Sequence, residues 1–171
     1  LHSLNNAYSK IADKENIRID SLWLSKIPNI IKVDALKNKY KYQKDIKINP
    51  IIGEFDDPDN LSQHLLTLPM SDFGNTSIYG IPGSGKELVL TTTVYSSATT
   101  YSPDEVNIYI LDFASETMQN LRSIPHVGDV ILVSDTEKLE NLFKLLNTYL
   151  EQRKNLFLDY AGSIIEYEKA T

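Results

Sequence analysis

Gly80-Ile81-Pro82-Gly83-Ser84-Gly85-Lys86-Glu87 is the stretch that decides the fold. Its first seven positions match the phosphate loop G-x-x-x-x-G-K-[S/T], and it lies where that loop belongs: Thr76–Tyr79 reads as a short strand before it, and Glu87–Ser97 as a helix after it. Glycines let the backbone curl until successive amides point inward as an anion nest. The helix adds its unpaired N–H groups and the positive end of its dipole. Lys86 supplies a cation for the outer phosphates, so all eight residues are candidate nucleotide contacts. The competing reading is a chance glycine turn with a lysine at a helix start. The eighth position departs from the pattern: Glu87 stands where a Ser or Thr hydroxyl would hold Mg²⁺. Its carboxylate repels a triphosphate unless it pairs with Lys86 or takes the metal itself. Phosphate binding is therefore expected to survive and Mg²⁺ placement to be weak, with no metal ligand set assigned.

Downstream, Val106–Leu111 is almost continuously apolar, as a buried parallel strand should be, and Val130–Val133 is another such run. Ser134 and Glu137 have the spacing of a capping box. Behind them Leu139, Leu142, Phe143, Leu146, Leu150 and Phe157 mark one face of a long helix. Ser163 and Glu166 repeat the cap signal for a last helix. Strands alternating with helices predict an α/β fold with a mainly parallel sheet in three layers. The strands at 76–80, 106–111 and 130–133 are expected parallel, with the loop at their C-terminal edge.

Upstream, Ile51–Phe55 and His64–Leu68 read as strands separated by a turn at 56–60, and Pro69–Asn75 as a surface turn. Residues 34–50 are Lys-rich and polar and read as a linker. Leu1, Leu4, Tyr8 and Ile11 are spaced as an amphipathic helix, and Trp23 is expected to anchor the Ser21–Pro28 segment against a core. The resulting division is a helical, basic lead-in over 1–50 and a compact part over 51–171.

A hydrolytic centre is harder to find. Asp112 ends an apolar strand, where it could contact Mg²⁺ through water or cap a helix beginning near Ser115; Glu116 follows four residues on. No Asp-Glu pair follows any apolar strand after Lys86, and Asp159 closes a helical pattern instead. His126 has no nucleophile beside it in sequence and reads as a turn residue next to Pro125. Arg153 reads as a solvated helix position pairing with Glu151, the alternative being an arginine finger to a neighbouring chain. No catalytic residue is assigned.

The 171 residues contain no Cys and three His, which excludes a disulfide scaffold, a thiolate zinc site and a cysteine nucleophile. No apolar run approaches the roughly 20 residues that span a bilayer. With no initiator Met and no signal-like start, the chain reads as a slice of a longer one. Net charge is −6, split unevenly: residues 1–50 carry ten Lys/Arg against five Asp/Glu, and residues 51–171 seven against eighteen. The acidic part disfavours binding to a phosphate backbone, hence no nucleic-acid partner. The basic stretch Lys32–Lys47 is either a solvated surface or a dock for an acidic neighbour.

Several segments together resemble a family. Trp23-Leu-Ser-Lys-Ile-Pro28 is similar to the "WLPPLP" stretch that precedes ATPase modules of type VII secretion motors. Ile52-Gly-Glu-Phe-Asp-Asp-Pro58 and Leu66-Thr-Leu68 resemble their lead-in strands. Leu111-Asp-Phe113, Pro125-His-Val-Gly-Asp129 and the helix end Glu151–Phe157 are similar to the same modules. The likeness covers nearly all of residues 17–171 and points to the FtsK/SpoIIIE-like ATPases of the EssC/EccC kind. The resemblance implies a RecA-like P-loop fold, ATP as ligand, and a membrane-anchored chain of tandem modules on the cytoplasmic face. It implies hexamers in the full protein, neighbouring modules of the same chain as partners, and small secreted helical-hairpin substrates. Glu87 suggests a later, degenerate module, most simply the second. The family's metal-binding acid would then lie beyond residue 171, the sheet would be incomplete at the C-terminus, and Asp112 would be structural. Two other readings stand beside it: a nucleotide-independent interaction module that recognises substrates or gates the adjacent ATPase, and a DNA-translocase motor domain.

Overall fold

Val33, Leu36 and Tyr40 recur at helical spacing within the Lys-rich stretch, and this pattern turns part of the expected linker into a packed element. The computed structural model describes residues 2–15 and 24–170, and forms two compact units, residues 1–100 and 101–171. In the first, α1 (His2–Lys14) leaves Leu4, Tyr8 and Ile11 exposed along one side. Leu1 and Ser21–Trp23 lie outside the described residues, and with them the anchoring role expected of Trp23. The linker reading of 34–50 is corrected by α2 (Val33–Lys39), whose Val33 and Leu36 form a core with Ile51, flanked by Tyr40, Tyr42 and Leu65. High polarity hid a short helix that needs only one apolar stripe to be buried.

β1 (Ile51–Asp57) pairs antiparallel with β2 (Ser62–Thr67), Phe55 opposite His64, with an irregularity between Ile51 and Gly53. The strand runs two residues past its expected end because Asp57 itself carries the turn, accepting hydrogen bonds from the Asn60 backbone N–H (3.3 Å) and Nδ2 (2.8 Å). A single helical turn, α3 (Met70–Phe73), stands where a surface turn was expected. α4 (Lys86–Ala98) lies against β1 through small residues: Ser96 is fully buried and its Oγ accepts the Ile51 N–H at 2.7 Å. Thr91 and Thr93 donate to the carbonyls of Glu87 and Val89 four residues back, so packing rather than propensity holds this Thr-rich helix.

The strand expected at 76–80 is not formed. Residues 74–81 have no ladder partner among the described residues, and both sheets there have two strands. Of Thr76–Tyr79 only Ile78 is even half-buried, while Tyr79 is exposed; a strand persists only where its N–H and C=O groups and one face find cover.

In the second unit, β3 (Ile108–Asp112) and β4 (Val127–Leu132) are parallel, Ile110 opposite Val130 and Leu111 opposite Ile131. Residues 113–126, including a 3-10 helix at Gln119–Ser123, make the long crossover that a parallel pair requires. Asp129 accepts from Lys138 Nζ and Arg122 Nε, both at 2.9 Å, which ties β4 to the helices on either side of it in sequence. The Lys138 hydrogen bond, against the opposing effect of burial, holds its carboxyl below the usual carboxylate value. α5 (Thr136–Phe157) buries Leu142, while Phe143, Leu146 and Leu150 of the expected face stay exposed. The Ser134–Glu137 capping box does not form. The helix N-cap is Asp135, whose carboxylate accepts the Leu132 N–H at 3.2 Å and closes the strand-to-helix turn instead. The second cap signal is half realised in α6 (Ile164–Ala170): the Glu166 N–H donates to Ser163 Oγ at 3.4 Å, and the Glu166 carboxylate pairs with Lys169 at 2.9 Å. Tyr167 meets Phe157 and Tyr160 edge-on, at 5.5 and 5.1 Å between ring centroids.

Candidate functional site

The loop from Gly80 to Glu87 takes its shape from its glycines. A Cβ built on Gly80 would stand 2.3 Å from Ser84 Oγ and 3.1 Å from Ser84 Cβ, so a side chain there would make the Ser84 hydroxyl turn away and its Cβ give way. Gly83 and Gly85 hold φ of +79° and +90°, the left-handed conformation other residues avoid. Between them Ser84 N–H donates to the Ile81 carbonyl at 3.1 Å, a tight turn inside the loop. Gly85 is the N-cap of α4 and offers no side chain to its first turn, and the first helical bond runs from Val89 N–H to Gly85 O at 3.1 Å. The amides that open α4 are thus left for an outside acceptor.

Lys86 curls back over the loop. Its ammonium donates to the carbonyls of Gly80 (2.7 Å) and Ile81 (2.8 Å), which places the cation at the loop's mouth. Ile81 to Ser84 and Glu87 are exposed, while Gly85 and Lys86 are half-buried. The pairing of Glu87 with Lys86 that the sequence left open is not made among the described residues; the lysine is engaged by carbonyls, and Glu87 reaches solvent one residue into the helix. A carboxylate there is favourable to the helix dipole and unfavourable to an arriving polyphosphate.

Of the two readings of Asp112, the structure supplies the hydrogen bonds of a backbone cap. Asp112 is buried; its Oδ1 accepts the Ser115 N–H at 3.2 Å and Oδ2 the Met118 N–H at 3.1 Å. The element it organises is the turn after β3 rather than a helix at Ser115, the next helical residues being the 3-10 turn from Gln119. Burial pushes its pKa up, but the backbone N–H groups around it outweigh that and hold the carboxyl below its ordinary value. His126 is also buried: Nε2–H donates to the Tyr101 carbonyl at 2.8 Å, which sets the tautomer, and Nδ1 has no hydrogen-bond partner. Its turn is closed by Val127 N–H to Ile124 O at 2.9 Å, in line with the structural reading of this histidine. Arg153 is exposed on α5, and Glu151 pairs with Lys154 at 2.7 Å rather than with it. Among the described residues no group of three His, Asp or Glu is arranged to hold a metal ion, and no helix is long and apolar enough to cross a membrane.

Sequence reasoning missed a cluster around Glu54. Lys39 and Tyr40, from the end of α2, both donate to Oε1 of this β1 carboxylate, whose side chain is 2% exposed. Lys39 first, then Tyr40, hold the Glu54 carboxyl below the usual range. The available signal was the acidic residue inside the apolar Ile51–Phe55 run, which must find a partner once buried. Lys37 and Lys47 also find partners within this unit, the Thr99 carbonyl at 3.1 Å and Asp72 at 2.6 Å, so much of the basic stretch is spent on its own fold.

Comparison with known proteins follows the same residues. The model of the FtsK/SpoIIIE family matches residues 36–167, from within α2 to within α6. The chain is 33% identical over 119 residues to the ESX secretion system protein EccC of Geobacillus thermodenitrificans, covering 70% of this chain and 8% of that protein. It is 27% identical over 154 residues to the type VII secretion system protein EssC of Staphylococcus aureus, covering 87% of this chain and 10% of that one. The chain therefore spans about a tenth of the length of these relatives. Among solved structures, EssC (ATPases 2 and 3) from Geobacillus thermodenitrificans superposes with a TM-score of 0.65 at 26% identity, over 90% of this chain and 27% of that chain. Thermomonospora curvata EccC (ATPases 2 and 3) in complex with a signal sequence peptide gives 0.63 at 28% identity, over 73% and 23%. The mixed α/β architecture with its parallel pair is thus that of a RecA-like P-loop ATPase domain, and the chain belongs to the FtsK/SpoIIIE family.

Proposed function

We propose that Gly80–Glu87 bind the phosphates of ATP, and that the chain is a nucleotide-binding module of a type VII protein secretion motor with weak or no hydrolysis of its own. The observation that carries the reading is the loop itself: a backbone curled around Gly80, Gly83 and Gly85, uncapped amides at the head of α4, and the Lys86 ammonium held at its mouth. In binding, Lys86 leaves the Gly80 and Ile81 carbonyls for the outer phosphate oxygens, a charge-assisted contact stronger than those it gives up. The amides of Gly83 to Glu87 receive the β-phosphate. Mg²⁺ arrives with the nucleotide but meets a carboxylate where a hydroxyl would hold it, so its placement is poor.

The names of the relatives support the wider setting. In our reading the immediate partners are neighbouring ATPase modules of a longer, membrane-anchored chain, and the further ones are hexamer neighbours and secreted helical-hairpin proteins. Relatives named as secretion system proteins with ATPases 2 and 3 support the coarser part of this. Residues 1–50 then lead into the nucleotide-binding part over 51–171, as one of the later modules, the second in our reading. A second reading, a nucleotide-independent module that recognises substrates or gates the adjacent ATPase, draws on one observation: the loop's own Gly80 and Ile81 carbonyls satisfy Lys86. A thermal-shift titration separates the two. Millimolar Mg·ATP should raise the melting temperature of the wild-type chain, and Lys86→Ala should remove the rise; no rise in the wild type hands the function to the second reading.

A further inference from the structure

Val127-Gly-Asp-Val-Ile-Leu-Val133 has the composition of a segment that pairs with its like: aliphatic side chains rich in β-branching, a single charge and no proline. β4 takes up all of it but Val133 and has one neighbour among the described residues, β3. Its other edge would ordinarily present a row of unpaired N–H and C=O groups to any strand that approaches. In this chain that row is already engaged. In a parallel pair the backbone groups of alternate residues turn toward the neighbouring strand and away from it, and those of Val130 and Leu132 are taken up from outside the ladder. The Val130 N–H donates to Asp129 Oδ1 at 2.8 Å, and the Val130 carbonyl accepts Arg122 Nη2 at 2.5 Å. Two residues on, the Leu132 N–H donates to Asp135 Oδ2 at 3.2 Å, and the Leu132 carbonyl accepts the Asp135 N–H at 3.0 Å. The cover is braced, because Arg122 Nε and Lys138 Nζ each hold the Asp129 carboxylate at 2.9 Å. The one charge within the apolar run is thus the one spent on its edge.

We propose that Asp129, Arg122 and Asp135 close the outer edge of β4 to strand addition, so that a second copy of this chain cannot pair with it there. An arriving strand would have to displace charge-assisted hydrogen bonds at Val130 and Leu132. It would also leave Asp129 and Arg122 in its path, with their charges pressed against its own backbone. The competing account is a tie that merely fastens β4 to the helices beside it in sequence. The two accounts part at Lys138, which braces Asp129 but touches none of the four backbone groups, whereas Asp129 and Arg122 cover two of them directly. Nucleotide binding at Gly80–Glu87 plays no part in the argument, so either can fail without the other.

The test is sedimentation velocity on the whole 171-residue chain over a range of concentrations, with far-UV circular dichroism as the check on folding. The double variant Arg122→Met, Asp129→Thr uncovers Val130 and places a good strand former beside it. It should gain, over the wild type, a rise in sedimentation coefficient with concentration, while keeping its dichroism spectrum. Lys138→Met, which cuts only the brace, should sediment as the wild type does. A folded double variant that sediments like the wild type overturns the proposal. Association of Lys138→Met to the same extent as the double variant overturns it too, because the tie to α5 would then be what matters. Hydrogen exchange on the unaltered chain stands whether or not the double variant folds. The Val130 and Leu132 amides should exchange at least about tenfold more slowly than in an unstructured chain. Exchange of both at the unstructured rate shows an uncovered edge and overturns the proposal.

Discussion

Replacing Glu87 with Thr perturbs the one position at which this loop leaves its family pattern. In the wild type the carboxylate is exposed in the first turn of α4, unpaired with Lys86, which is turned toward the Gly80 and Ile81 carbonyls. Two like charges 4 Å apart repel by about 1 kcal/mol in water and about 4 kcal/mol at the effective dielectric of a protein surface. Exposure puts Glu87 toward the lower figure, and Mg²⁺ reduces it further. The Thr hydroxyl also restores a metal contact. Together these should tighten Mg·ATP binding roughly tenfold, or about 1.4 kcal/mol. The empty protein should respond in the opposite sense, because the variant loses a first-turn carboxylate worth about 0.3–1 kcal/mol to the helix dipole. For a chain of this length that lowers the melting temperature by about 1–4 °C. Calorimetry with Mg·ATP and with ATP in excess chelator reads the first effect, and a melting curve without ligand reads the second. The gain should be larger with Mg²⁺ than without. A Thr variant that binds Mg·ATP no better than the parent shows that Glu87 is not what disables the metal site.

Three further outcomes follow from the packing. Gly80→Ala sets its new methyl against Ser84, which must turn its hydroxyl away inside the loop, so ATP binding should fall by about threefold while the circular dichroism spectrum is retained; unchanged binding means that the Gly80–Ser84 contact does not shape the site. Ser96→Ala strands the Ile51 N–H in the core and should destabilise the chain by about 1–3 kcal/mol in urea unfolding, whereas a loss below a few tenths would show that water replaces the hydroxyl. Asp112 has a folded pKa below its unfolded one, so its stabilisation is complete above about pH 5 and declines as the pH falls through the unfolded value near 4 toward the folded one. The stability gap between wild type and Asp112→Asn should therefore shrink between pH 7 and pH 3.5, and an equal gap at both would contradict the capping account.

What could be read from the chain alone was set by how local its cause is. The loop and the helix behind it were legible because glycine placement, a lysine and an apolar period act within a dozen residues. Val106–Leu111 and Val130–Val133 were legible as a parallel pair from their apolar runs, but the strands lie at 108–112 and 127–132, and Leu111 and Val133 are exposed rather than buried. Thr76–Tyr79 was misread because strand identity depends on a neighbour that the segment does not specify. α2 was missed because Lys37 and Lys39, with Lys32 and Lys41 on either side, dominate the composition while Val33 and Leu36, with Tyr40 at the C-cap, do the packing. The Ser134–Glu137 box matched a spacing, but Asp135 stood between them with a carboxylate able to reach back to Leu132. Glu54 showed nothing in sequence beyond a charge in an apolar run; its role comes from Lys39 and Tyr40, brought to it by a helix that the composition concealed.

The central claim is that Gly80–Glu87 hold the phosphates of ATP, and equilibrium dialysis of the chain against labelled ATP tests it most directly, with Lys86→Ala measured in parallel. The account predicts saturable binding at one site per chain, at micromolar or weaker affinity, lost in the Lys86→Ala variant. Saturable ATP binding of equal strength in Lys86→Ala, or no binding by the wild-type chain at millimolar ATP, would contradict it.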